Sequence, residues 1–250
     1  MNPAAGIIVI GTEILLGKRE DRHFARTRQQ LRERGYESAW CLVLPDRREE
    51  MVQQLRWAFR QGNPFFSFGG LGATPDDLTR NCAAEAAGVP LVRHPDAEKL
   101  IREHFGTEAE PVRIRMAELP ETSGIIPNPI NQVPGFHLEN GFFFPGFPEM
   151  AEPMASWVLE QHFPRREFPS QGRILLDEAR ESQLVDFMED FCASHPAIEF
   201  SSLPSMKNGL YQVELGLRGM REDLLPAWED LLVRLAGCGF PPRILELPSF

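Results

Sequence analysis

The sequence is short of cysteine, of positive charge and of long apolar runs, and each shortage excludes something. Its four cysteines (Cys41, Cys82, Cys192, Cys238) lie far apart and form no C-x-x-C pair. That spacing argues against a structural zinc site and reads as reduced thiols in a reducing compartment. Lys and Arg number 26 against 36 Asp and Glu, a formal charge of −10. This balance works against broad binding to DNA, RNA or anionic membranes, because nucleic-acid affinity comes largely from Lys and Arg on phosphates. No nucleic-acid and no membrane partner is expected. No stretch reaches the roughly 18 apolar residues that span a bilayer. Ile7, Ile8, Val9 and Ile10 have no basic region before them and meet Glu13 just after, so they read as a buried strand rather than a signal peptide. The expected location is the cytoplasm.

Familiar catalytic patterns are also missing. No Ser-His-Asp, Cys-His or G-x-S-x-G arrangement stands out, and the six histidines are scattered without ligand spacing. There is no internal repeat and no low-complexity tract. What remains is an ordinary globular composition, 42% hydrophobic and 25% charged over 250 residues, enough for a real core in one large or two smaller domains.

The pattern along the chain predicts strand 5–10, helix 22–34 closed by Gly35, strand 38–44, helix 48–61 and strand 64–68. Strand–helix–strand–helix–strand with short connections is the signature of right-handed βαβ units and a parallel sheet. A third helix follows at 78–87, and Asp96 is read as the N-cap of another through Phe105. Residues 106–135, rich in Pro, Asn and Gly, read as loops. Strand 141–144 and helix 149–162 close the first domain, placed at 1–165, and 163–172 reads as a linker. Beyond it, strand 173–177, helix 180–194, strands 198–203 and 210–218 and helix 222–236 make a smaller split α/β domain at 171–250.

Three clusters carry chemistry. The strongest is Gly69-Gly70-Leu71-Gly72-Ala73-Thr74-Pro75-Asp76-Asp77-Leu78-Thr79, at the carboxyl end of a predicted central strand and opening a helix. Ligands of open α/β sheets gather at that end. Gly69, Gly70 and Gly72 let the backbone approach a phosphate, and Thr74 can donate a hydroxyl. Asp76 and Asp77 can hold a hard divalent cation. The same residues also fit a tight turn with one aspartate as helix cap. It is not a Walker A loop, for no Gly-Lys-Ser/Thr follows, nor is it G-x-G-x-x-G. The second cluster, Gly11-Thr12-Glu13 with Gly17, would open on the same sheet edge. There Glu13 is either a ligand or metal contact or a surface acid. The third, Pro145-Gly146-Phe147-Pro148-Glu149-Met150, makes a stiff turn at a helix start, with a structural role as the simpler reading.

Taken together, GTEILLG at 11–17, GGLGATPDDLT at 69–79 and PGFPEM at 145–150 resemble the family of the competence/damage-inducible protein CinA. Its N-terminal domain is similar to the molybdopterin-binding domains of molybdenum cofactor biosynthesis proteins, and the resemblance covers most of 5–162. The second module looks like the KH-like domain that follows in that family, with Glu181-Ser182 and a Leu203-Pro204-Ser205 turn. The resemblance implies a three-layer α/β/α domain with a mostly parallel sheet, joined to a smaller split α/β KH-like domain and expected as a homo-oligomer. It further implies a phosphorylated small-molecule ligand, a nucleotide or pterin, and metal-dependent pyrophosphatase activity on a nucleotide diphosphate such as ADP-ribose. On that analogy Asp76, Asp77 and Glu13 are catalytic. The two aspartates hold Mg²⁺, Mn²⁺ or Co²⁺, and Gly11, Thr12, Gly69, Gly70, Gly72, Thr74, Asn128, Pro145 and Gly146 hold the ligand. Non-hydrolytic binding and a degenerate oligomeric scaffold are the rival expectations.

The chain departs from the family pattern in places. Asp21-Arg22-His23 stands where Asn-Thr-Asn is common, Ala73 where Pro is usual, and 128–135 keeps Asn128 and Pro134-Gly135 but loses a small Gly-Thr-Ala. No C-terminal amidase domain follows, so deamidation of a nicotinamide nucleotide is not expected. RNA binding by the second domain is not expected either: 171–250 has no G-x-x-G loop and carries 7 basic against 13 acidic residues.

Overall fold

The computed structural model describes residues 3–249. They divide into two compact units, Met1–Arg166 and Glu167–Phe250. The elements of the first unit are β1 (Ala4–Ile10), α1 (Thr12–Leu15), α2 (His23–Arg34), β2 (Glu37–Leu44), α3 (Arg48–Arg60), β3 (Phe65–Phe68), α4 (Thr79–Ala87), β4 (Leu91–Arg93), α5 (Pro95–Phe105), β5 (Glu118–Pro120), β6 (Gly124–Ile126), β7 (Gly135–Leu138), β8 (Gly141–Phe144) and α6 (Pro148–His162).

The six-stranded sheet runs β2-β1-β3-β8-β7-β6. β2, β1, β3 and β8 are parallel, while β7 turns back against β8 and β6 against β7. Its central strands are apolar on both faces, as a covered parallel sheet requires. Alternation along each strand then feeds two separate cores. Ile8, Ile10, Phe65 and Phe143 pack with α3, α4 and α5, whereas Ile7, Val9, Phe66, Phe68 and Phe144 pack with α2 and α6. The result is a helix layer on each face of a mostly parallel sheet.

Phenylalanine fills this sheet to an unusual degree. In β3 and β8, Phe66 stacks on Phe144 at 5.8 Å, Phe68 on Phe144 at 5.1 Å, and Phe65 meets Phe143 edge-on at 5.7 Å. Gly141, opposite Phe65 in the ladder, makes this possible, since a Cβ there would lie 2.5 Å from the Phe65 ring.

The second unit holds β9 (Ser170–Asp177), α7 (Val185–Ser194), β10 (Glu199–Lys207), β11 (Leu210–Gly219), α8 (Arg221–Gly237) and β12 (Arg243–Glu246). Its antiparallel sheet is ordered β10-β11-β9-β12. Ile174, Leu176, Val213 and Leu215 pack against Phe191 of α7 and against Trp228 and Leu231 of α8.

Several expectations are corrected here. Residues 106–135 are not loops throughout: β5 and β6 lie there, with two 3-10 turns, Gly106–Ala109 and Arg113–Ala117. The 163–172 linker is shorter than expected, because β9 already begins at Ser170. Asp96 is not the N-cap of α5. His94 is, Pro95 opens the helix, and Asp96 sits in the first turn where the helix dipole favours an acid. Leu203-Pro204-Ser205 is not a turn but the middle of β10, an edge strand that tolerates proline. The turn is at Asn208 and Gly209, both at positive φ, as a two-residue hairpin demands.

The Phe66→Ala variant removes a fully buried ring packed against Phe142, Phe144 and Phe163. We expect a loss of about 3–5 kcal/mol of stability, read as a lowered denaturant midpoint.

Candidate functional site

In a parallel sheet every carboxyl end faces the same edge, so β1, β2, β3 and β8 deliver Ile10, Leu44, Phe68 and Phe144 together. The pairing extends one step past the strands: Gly11 N–H donates to Leu44 O (3.0 Å) and Gly69 N–H to Phe144 O (3.0 Å). Two glycines are obligatory beyond that point. Gly69 has φ +107° and a Cβ there would lie 2.3 Å from Ile10 O, while Gly70 has φ +68° and a Cβ would meet Thr79 Oγ1 at 2.3 Å. A Cβ built on Gly146 would stand at ordinary contact distance, 3.4 Å, from Gly69 Cα. The loops after β3 and β8 are thus packed backbone to backbone.

They frame a cavity of about 490 Å³. Every residue predicted for the site lines it except Thr12: Gly11, Glu13, Gly69, Gly70, Gly72, Thr74, Asp76, Asp77, Asn128, Pro145 and Gly146. Thr12 works one step back. Its N–H donates to Asp46 Oδ2 (2.8 Å) and its Oγ1 accepts from Asp46 N–H (3.0 Å). This reciprocal pair ties the loop after β1 to the loop after β2 and brings Asp46 to the cavity. The sequence reading passed over Asp46, although its place two residues beyond the end of a parallel strand was a usable signal. Arg19, Phe105 and Met116 also line the cavity and were missed, because they lie in an irregular loop, at a helix end and in a 3-10 turn.

Asp77 and Asp76 behave differently. Asp77 Oδ2 accepts from the Thr74 N–H (2.9 Å) and from the Thr74 hydroxyl, closing the turn through Pro75. Asp76 is exposed, and hydrogen bonding within the loop holds its carboxyl below the usual range. Asn128 spends both amide donors on Asn131 Oδ1 (2.7 Å) and Val133 O (3.0 Å), and its Oδ1 accepts from Ile130 N–H (3.0 Å), so it shapes the 128–133 wall. The charged lining consists of Glu13, Asp46, Asp76 and Asp77 against Arg19. Among the described residues, no three His, Cys, Asp or Glu side chains converge into a ready-made metal site.

Behind the Pro-Gly turn, on the opposite face of the sheet, lies His23. Its ring stacks on Phe68 at 4.6 Å and its Nε2–H donates to Gly146 O (3.3 Å). Burial lowers its pKa and outweighs the opposing pull of the Gly146 carbonyl, Asp21 and Glu149. The neutral ring is therefore the folded form, and the unfolded chain binds a proton first as pH falls through about 6.5. Stability contributed by His23 is present above that pH and lost below it. We expect wild type to lose stability more steeply than His23→Gln between about pH 7.5 and pH 5, by urea titration at each pH. Parallel curves would show that His23 does not carry this dependence.

A family model described as "probable molybdopterin binding domain" matches residues 6–165. A CinA-like protein of Gloeobacter violaceus is 36% identical over 166 residues, covering 63% of this chain and 38% of that protein. A CinA-like protein of Geobacter metallireducens is 31% identical over 232 residues, 88% of this chain and 56% of that protein. This chain therefore spans about two fifths to just over half the length of these CinA-like relatives. A crystal structure of the protein CinA with unknown function from Thermoplasma acidophilum superposes with a TM-score of 0.59 at 28% identity, over 64% of this chain and 99% of that one. No helix among the described residues is long and apolar enough to cross a membrane.

Proposed function

The chain belongs to the family of the "probable molybdopterin binding domain", and from the cavity that its fold builds we propose that it is a divalent-metal-dependent hydrolase of a nucleotide diphosphate such as ADP-ribose. The observation that carries this reading is the convergence of three unlike surfaces on one cavity. Glycine backbone from 69–72 suits phosphate oxygens, the carboxylates of Glu13, Asp46 and Asp76 suit a hard cation or a polarised water, and Phe105, Met116 and Phe147 are apolar lining.

Charge decides how the ligand must arrive. Four carboxylates and one guanidinium line the cavity, so a bare diphosphate would be repelled. A phosphate ligand carrying its own divalent cation fits this lining. Oxygen donors are the right chemistry for Mg²⁺, Mn²⁺ or Co²⁺, and a cation held mainly by phosphates and water needs only one or two protein carboxylates. Asp76, exposed and held ionised, would supply one, and Glu13 or Asp46 of the same cavity lining another. When bound, the ion neutralises charge on the phosphoanhydride. The protein's own part is positioning: loop N–H groups hold the phosphates, Asp77 fixes the loop through Thr74, and a free carboxylate orients water on phosphorus. Water adding across the P–O–P bond of ADP-ribose gives AMP and ribose 5-phosphate.

A second reading, tight pterin binding without hydrolysis, is favoured by the same apolar lining, which accepts any flat ring. The test is AMP release from ADP-ribose with and without added Mg²⁺, Mn²⁺ or Co²⁺. Metal-dependent AMP with a drop of about a hundredfold or more in Asp76→Asn is the expected result. No AMP under any condition would discard the hydrolase and pass the question to a pterin-binding assay. A separate expectation concerns this lining. Phe147 is 58% exposed at the cavity and pinned between two prolines. Phe147→Ala should raise KM for ADP-ribose about tenfold while leaving inorganic pyrophosphate binding unchanged, because only the nucleotide has a ring to stack.

A further inference from the structure

Three consecutive carbonyls of the glycine loop are held from one side by the first turn of α4. The Thr79 hydroxyl donates to Gly69 O (2.8 Å), the Thr79 N–H donates to Gly70 O (3.1 Å), and Arg80 Nη1 donates to Leu71 O. A trans peptide points its carbonyl and the following N–H in opposite directions. The N–H groups of Gly70, Leu71 and Gly72 therefore face away from Thr79 and Arg80. Among the described residues, none of these three N–H groups has a protein acceptor. Residues 69–72 line the cavity, whereas Thr79 and Arg80 do not. The free donors consequently lie on the cavity side and the tethers behind.

Arg80 is an expensive residue to keep there. It is 6% exposed and its Nε has no partner. Burial lowers its pKa, opposed by the charges of Asp77 and Glu118. A guanidinium stays protonated even so, and burying a charge costs stability unless it is matched. Holding the Leu71 carbonyl alone would need only a neutral donor. A fixed positive charge behind a row of unpaired N–H groups makes sense if an anion sits in front of them.

We infer that Thr79 and Arg80 are positioning residues that turn Gly70, Leu71 and Gly72 N–H toward one phosphate group of the ligand, with Arg80 adding positive charge behind them. This rests on the phosphoanhydride reading above. Neither residue touches the ligand; both act through the orientation of the loop's peptides.

The experiment is a titration of the ¹⁵N-labelled full chain with inorganic pyrophosphate in the presence of Mg²⁺, following backbone amides by NMR. In wild type the Gly70, Leu71 and Gly72 amide signals shift on binding. Thr79→Val, which keeps the side chain's shape, binds about tenfold more weakly, and Thr79→Ser, which keeps the hydroxyl, recovers wild-type affinity. Arg80→Met also loses about tenfold, with partial recovery in Arg80→Lys. Wild-type affinity in both Thr79→Val and Arg80→Met, with unchanged circular dichroism, would overturn the positioning role and leave the cavity reading standing. Pyrophosphate binding that leaves the three amides unmoved would likewise remove the cradle alone. No binding by wild type would bring down the phosphoanhydride reading, and this inference with it.

Discussion

The cavity exists because β1 pairs in parallel with both β2 and β3, and β3 in turn with β8. Parallel pairing sends every carboxyl end to one edge, so four chain segments distant in sequence must leave the sheet side by side. What those segments then do is limited by how close they are. At Gly69 there is no room for a Cβ between the loop and the Ile10 carbonyl, and Gly146 lies alongside it from the β8 side. Crowding and topology together turn an ordinary set of strand ends into a backbone-lined pocket. The phenylalanines of β3 and β8 hold the two strands whose loops meet there, which ties the pocket's shape to the density of the core beneath it.

The electrostatics of the pocket follow from the same convergence. The ends of β1, β2 and β3 each contribute an acid in its own local context: Glu13 in the first turn of α1, Asp46 bonded to Thr12, Asp77 closing the 74–77 turn. Each has a local structural reason, yet topology sums them into one acidic chamber. Among the described residues this acidity comes without a preassembled set of ligating side chains.

Much of this was legible before any coordinates. The apolar run from Ile7 to Ile10, the Gly35 cap and the break at Gly62 set out the βαβ pattern, and the glycines at 69–72 marked the pocket's rim. What was not legible shares a cause. β4, β5, β6 and β7 are three or four residues long and lie among Pro, Asn and Gly, so no periodicity accumulates over them. Asp46, Phe105 and Met116 join the site through tertiary contact alone. Thr12 was read as a ligand contact, whereas in the structure it pairs with Asp46 on a neighbouring loop and does not line the cavity, a distinction that needs the partner's position. Pro204 looked like a turn residue, because nothing local says that a strand is at an edge.

His23 contacts Gly146 on one side of the sheet while Gly146 borders the cavity on the other. Gly146 is the residue the two share. Sequence drift at position 23 can therefore reshape the cavity floor without altering any cavity residue. Relatives that share every lining residue but differ at this point should not be presumed to share a substrate.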